Sequence, residues 1–124
     1  MPTLVDTSIF VDYLRGLERS KPTIQKMQEQ QCYISALTEA ELLSGKSCED
    51  TEVREKVRTL ISLCRKEDVH NQIAQRAGEF RRRYNVSLAD CIIAATADLL
   101  NATIWTKNAD EFNKIKEVTT KEPY

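Results

Sequence analysis

Acidic side chains recur in this chain where a strand gives way to a helix. Asp6 follows the short apolar run Thr3-Leu4-Val5, and Glu41 opens the helix after Cys32-Tyr33-Ile34-Ser35. Asp90 opens a nearly all-apolar segment from Leu88 to Leu100, and Asn108-Ala109-Asp110-Glu111 follows Thr103-Ile104-Trp105-Thr106. If the strands run parallel, their carboxyl ends share one edge of the sheet, where ligands of such sheets gather. Carboxylates converging within ~4–6 Å raise each other's pKa unless a cation stands between them. All-oxygen ligation suits Mg2+ or Mn2+ rather than Zn2+. A plainer role competes with this one. Thr38…Glu41 and Ser87…Asp90 both fit the Ser/Thr-x-x-acid capping pattern, and Asp6 alone could be an N-cap. Joint placement after strands favours a site, as does Asp90 interrupting an apolar helix, where an unpaired charge is costly.

The elements that must position these residues are readable from periodicity. Thr3-Leu4-Val5 reads as a strand feeding a helix over Ile9 to Leu14, which stops at Gly16. Pro22 opens a second helix running to about Gln30. Cys32 to Ser35 is the second strand, and Thr38 to Ser44 the next helix, with Thr38 as N-cap, Glu41 as its capping-box partner and Leu37 facing Leu42 as a staple. Val53, Val57, Leu60, Ile61 and Cys64 repeat at helical spacing, as do Ile73, Ala77, Phe80 and Tyr84, which predicts a helical hairpin turning around Asp68 to His70. Ser87 caps a central helix over Leu88 to Leu100. Thr103 to Thr106 is a third strand, Asn108 caps a short helix with Phe112 and Ile115, and Val118 to Thr120 forms a fourth, edge strand. Strands alternating with helices imply an α/β fold, a parallel central sheet with helices on both faces.

Composition narrows the class. At 124 residues the chain is one domain, 1–124, being shorter than the usual ~150 residues per domain. Eighteen Lys and Arg against 19 Asp and Glu give a net charge of -1, which excludes holding nucleic acid by bulk positive charge alone. Hydrophobic residues at 41% and charged residues at 30% exclude disorder, and only 3 Gly and 3 Pro argue against linker-like chains. No apolar run reaches a membrane span, and the N-terminus lacks a signal-peptide pattern, so the expected location is cytoplasmic. Cys32, Cys48, Cys64 and Cys91 include no Cys-x-x-Cys pair, which points to neither zinc nor redox chemistry.

Four segments carry a family resemblance: Leu4-Val5-Asp6-Thr7-Ser8, Ile34 to Gly45, Leu88-Ala89-Asp90-Cys91-Ile92-Ile93-Ala94-Ala95-Thr96-Ala97, and Trp105-Thr106-Lys107-Asn108-Ala109-Asp110-Glu111-Phe112. In order and spacing they resemble the signature blocks of PIN-domain ribonucleases, most of all the VapC-like toxins of toxin–antitoxin pairs. The resemblance implies a Mg2+- or Mn2+-dependent endoribonuclease, frequent homodimerisation and a small antitoxin partner encoded beside it. Asp6, Glu41 and Asp90 match three acids of the family site. For the fourth, this chain has Asn108 where many members have an acid; Asp110 is assigned the role, with Glu111 next and Asn108 as a neutral ligand or water holder. Asp6 and Asp90 would then hold metal, Glu41 and the fourth residue would bind metal or orient water, and in-line attack would leave a 5′-phosphate and a 3′-hydroxyl.

Thr7, Ser8 and Thr106 are short hydroxyls beside the acids, suited to hydrogen-bonding them or to capping. Arg81-Arg82-Arg83 fits a solvated helix end, with RNA or antitoxin contact as the alternative. His70, the one histidine, lies far from the acidic blocks, which disfavours imidazole-based cleavage. Trp105 belongs to the core. Two rival readings are a phospho-receiver domain, suggested by Lys107 but lacking an acid after the second strand, and a catalytically weak PIN-like module that binds RNA or protein.

Overall fold

Leu4 and Val5 are adjacent and both fully buried, so the first strand must be covered on both faces, since neighbouring strand residues point to opposite sides. Leu4 joins a core with Ile73, Phe80, Ile93, Ile104 and Phe112, while Val5 joins another with Ile9, Phe10, Ile34, Leu60 and Trp105. Ile104 and Trp105 divide between the same two cores. The molecule is therefore a three-layer α/β sandwich.

The computed structural model describes all residues, 1–124. The chain runs through β1 (Thr3–Val5), α1 (Thr7–Leu14), α2 (Lys21–Glu29), β2 (Cys32–Ser35), α3 (Ala36–Leu43), α4 (Thr51–Ile61), β3 (Arg65–Glu67), α5 (Asn71–Tyr84), α6 (Leu88–Leu100), β4 (Thr103–Trp105), α7 (Ala109–Phe112) and β5 (Thr119–Lys121), with short 3-10 turns at Glu18–Ser20 and Lys46–Glu49. All neighbouring strands pair in parallel, in the order β3-β2-β1-β4-β5. The chain builds outward from β1 to β3, then returns to the other side of β1 with β4 and β5. The reversal falls between β1 and β4, and a crevice opens at the carboxyl ends of strands at such a point.

Local chemistry sets most boundaries. Gly16 takes φ +85° just after α1, and Asn85 and Asn101 take φ 54° at the ends of α5 and α6, the left-handed turn that commonly closes a helix. Ala94, Ala95 and Ala97 are buried in α6, small enough for close packing in the core it shares with Ile73, Ala77 and Phe80 of α5. No helix is long and apolar enough to cross a membrane.

Three expectations are corrected. The cap of α3 is Ser35, whose hydroxyl accepts the Leu37 N–H at 3.0 Å, so the helix starts directly from β2 and Thr38 lies buried inside it. Thr38 and Glu41 therefore form no capping box. The helical hairpin at Asp68–His70 is absent, because β3 separates α4 from α5. That strand makes five where four were expected and consists only of Arg65, Lys66 and Glu67, a charged edge of the kind that discourages edge-to-edge association. Finally, Asn108 stands at the N-cap position of α7 without a side-chain capping bond.

Candidate active site

β1 ends at Val5 and β4 at Trp105, and the ladder continues one step further as the Asp6 N–H donates to the Trp105 carbonyl at 2.9 Å. Asp6 is thereby fixed beside Thr106 in the crevice. Its carboxylate is oriented by two hydroxyls: Thr106 Oγ1 donates to Oδ2 at 2.8 Å and Ser8 Oγ donates to the same oxygen at 2.9 Å. The hydroxyls are held in turn by backbone, since the Lys107 N–H donates to Ser8 Oγ at 3.0 Å and the Asn108 N–H to Thr106 Oγ1 at 2.8 Å. Asp6 is buried, at 7% exposure, yet no buried side-chain oxygen in the protein lacks a partner. Oδ1, which accepts no hydrogen bond, therefore remains open to solvent. One oxygen is anchored and the other is free to bind.

Asp90 faces this group from the first turn of α6. Ser87 performs the capping there, accepting the Asp90 N–H at 3.2 Å. Burial pushes the Asp90 carboxyl above the ordinary aspartate range and the charge of Asp6 pushes it further; the Ser87 hydroxyl opposes them, and Glu111 and then Glu41 add smaller upward pushes. Asn108 Nδ2 donates to Asp90 Oδ2 at 3.5 Å, a long contact. Glu41, expected to open its helix, instead approaches from the last turn of α3, where Thr7 Oγ1 donates to its Oε1 at 2.7 Å; Thr7 also pairs with the buried Thr38 hydroxyl at 3.0 Å. Thr7 thus ties α1 to the helix that carries Glu41.

Among the last acids, Glu111 carries a charge that helps to raise the Asp90 carboxyl. Asp110, the residue assigned from the sequence, is exposed on the short helix, as expected of neighbours ~100° apart on a helix. Glu111 is half-buried and forms a 3.0 Å ion pair with Lys114.

The donor set is all oxygen, and no lysine, arginine or histidine forms an ion pair with Asp6, Glu41 or Asp90. No three Asp, Glu, His or Cys side chains stand close enough together to hold a metal ion among them. The arrangement is an open group of carboxylates whose charges raise the Asp90 carboxyl, with Asp6 anchored through one oxygen and open through the other, and this donor chemistry fits a hard divalent cation.

Other singled-out residues lie elsewhere. His70 is exposed and stands 3.5 Å from Glu67 beyond β3. Arg83 is bound to Glu79 and Glu117, both at 3.1 Å, and Arg81 to Asn85, so most of the tri-arginine run supports the α5 end. Lys107 Nζ is taken by the Tyr124 carbonyl and lies near Glu122. Trp105 is core, at 5% exposure.

The model of the PIN domain matches residues 3–118. Ribonuclease VapC10 of Mycobacterium tuberculosis is 30% identical over 121 residues, covering 93% of this chain and 89% of that protein. A chain of a toxin-antitoxin complex from Klebsiella pneumoniae superposes with a TM-score of 0.83 at 27% identity, over 98% of both chains. A chain of VapBC2 from Rickettsia felis, in a structure bound to a promoter DNA fragment, superposes with a TM-score of 0.84 at 22% identity, over 98% of both.

Proposed function

The chain belongs to the PIN-domain family, and on that premise we propose that residues 1–124 act as one domain, a divalent-metal-dependent endoribonuclease that serves as the toxin of a toxin–antitoxin pair. The observation that carries the reading is the group of unneutralised acids, Asp6, Asp90 and Glu41, at the carboxyl edge of the parallel sheet. Mg2+ or Mn2+ would be held by Asp6 and Asp90, with Glu41 beside them; when bound, such an ion neutralises phosphate charge and makes water more acidic.

The chain's own contribution is orientation. Ser8 and Thr106 fix Asp6 through Oδ2, so that Oδ1 keeps one direction without a search at each turnover. Thr7 restrains Glu41 in the same way. Glu111 is the fourth acid in this proposal, replacing Asp110, and Asn108 places a neutral amide beside Asp90. Water attacking phosphorus in line with the departing 3′-oxygen forms one P–O bond as the other breaks. The 3′-oxygen takes a proton, which leaves a 3′-hydroxyl and a 5′-phosphate.

The partner in this reading is a small antitoxin. A groove of about 450 Å3 lined by Val11, Leu14, Leu42, Val53 and Val57 adjoins Glu41, and an apolar segment seated there would cover the approach to the acids. Homodimerisation belongs to the proposal as well: Leu88 and Leu99, 54% and 39% exposed on α6, fall on one helical face. RNA as substrate implies a cytoplasmic place of action.

The test is cleavage of a labelled cellular RNA pool by the wild-type chain and Asp6→Asn, each with Mg2+, Mn2+ or chelator. Wild type should cut only with metal, and Asp6→Asn should not cut. Cleavage that persists in chelator defeats the metal assignment, whereas a folded wild type that binds RNA without cutting it identifies a binding module.

A further inference from the structure

Cys32 and Cys64 are 32 positions apart in sequence, yet their Sγ atoms stand 2.6 Å apart. The topology accounts for this. β2 begins at Cys32, β3 begins one residue after Cys64, and the strands pair in parallel with Tyr33 opposite Arg65. The cysteines therefore meet where the two strands start. Cys32 is sealed at 2% exposure, with the carbonyls of Met27 and Leu63 at 3.8 and 3.7 Å from its sulfur, whereas Cys64 is partly exposed. The hydrogen bond from Cys64 holds the Cys32 thiol below its ordinary range, against the opposing effect of burial, and the same bond, with burial and the Cys32 charge, holds the Cys64 thiol well above its own. Cys48 and Cys91 differ: each is buried and donates to a backbone carbonyl at 3.4 Å, with no sulfur partner.

We propose that Cys32 and Cys64 form a reversible thiol–disulfide site, separate from the phosphodiester chemistry, that reacts with low-molecular-weight disulfides such as glutathione disulfide. Cys64 is the sulfur that a reagent can reach. Cys64 Sγ passes the proton of the shared hydrogen bond to Cys32 as it attacks one sulfur of the reagent, forming a mixed disulfide and releasing one molecule as thiolate, which takes that proton from Cys32; the Cys32 thiolate then attacks Cys64 Sγ and releases the second, which is protonated by water. The cysteines give up two electrons and two protons, and the reagent's disulfide takes up both. Closure fastens the start of β2 to the end of the α4 segment, in a loop over residues 32–64 that includes α3 and Glu41. Cross-linking restricts the unfolded chain more than the folded one, so oxidation raises the melting temperature. In a reducing compartment such a bond is transient and responds to oxidant.

The test incubates the full chain with glutathione disulfide, blocks remaining thiols with iodoacetamide in denaturant and maps the peptides. The expected product has lost two hydrogens in intact mass, contains one cross-linked peptide pair joining Cys32 to Cys64, and carries the alkyl group on Cys48 and Cys91. It should melt several degrees above the reduced chain, and dithiothreitol should restore the original value. Cys32→Ser should stop at a glutathione adduct on Cys64, while Cys64→Ser should take up none. Four alkylated cysteines after oxidation, or a bond that includes Cys48 or Cys91, overturns the proposal. Should a serine variant fail to fold, the peptide map of the wild-type chain decides. None of these readouts depends on RNA cleavage.

Discussion

Asp6 reaches the crevice with one oxygen committed to Ser8 and Thr106 and the other open, so its charge and its orientation can be removed separately. Asp6→Asn keeps size while removing charge, and should lower RNA cleavage by more than ~100-fold with an unchanged circular dichroism spectrum, beyond what a lost supporting contact costs. Thr106→Val keeps the charge and deletes one of the two hydroxyl bonds; a loss of ~10–100-fold is expected, measured as initial cleavage rate at saturating Mg2+. Glu111 and Asp110 are neighbours in the chain, but Glu111 is half-buried and its charge helps to raise the Asp90 carboxyl, whereas Asp110 is exposed. Glu111→Gln should therefore slow cleavage at limiting Mg2+ far more than Asp110→Asn, and the opposite order would return the fourth position to Asp110. The sequence reading puts Asp110 ahead of Glu111, because a short helix of four residues has too little periodicity to reveal which side faces inward.

The helix that carries Glu41 starts without a loop, and this is where the sequence misled. Ser35 is both the last residue of β2 and the cap of α3; the motif Thr38…Glu41 matches a capping box only if the helix begins later. Ser35→Ala should therefore cost about 1 kcal/mol, the usual value of a lost N-cap, read as a fall of ~4 °C in Tm. Glu41→Gln should cost no comparable capping energy, since Glu41 closes no box. β3 was unreadable for a different reason. Arg65, Lys66 and Glu67 bury little, and their strand character comes from pairing with β2. The inward-facing repeat of α4 also continues to Cys64, so the apolar pattern ran past the true end at Ile61. By contrast, α6 was readable throughout, because Ser87 caps it and the core requires small apolar residues over its length.

At the level of the molecule, the strand order brings together acids from four separate segments, and their placement after strands was visible in the sequence once the sheet was taken as parallel. What could not be read was that Asp6, Glu41 and Asp90 have no basic side chain to balance them, since that depends on where Lys107, Arg81 and Arg83 turn for partners. The central claim is that these acids form one cation site rather than a set of helix caps, and thermal unfolding of wild type and Asp90→Asn in chelator and in Mn2+ tests it without any substrate. The folded chain holds the Asp90 proton more tightly than the unfolded chain does, for reasons of burial and of the charges on Asp6, Glu111 and Glu41. The stability that Asp90 contributes is thus present below the ordinary aspartate range and fades as pH rises through the raised folded value. Near neutral pH in chelator, Asp90→Asn should therefore melt above wild type. Mn2+ at tenfold excess over Kd adds about 1.4 kcal/mol to a state that alone binds it, a rise of roughly 5 °C for wild type, with little for the variant. Asp90→Asn melting below wild type in chelator, with neither protein moved by Mn2+, would contradict the account and leave these acids as caps.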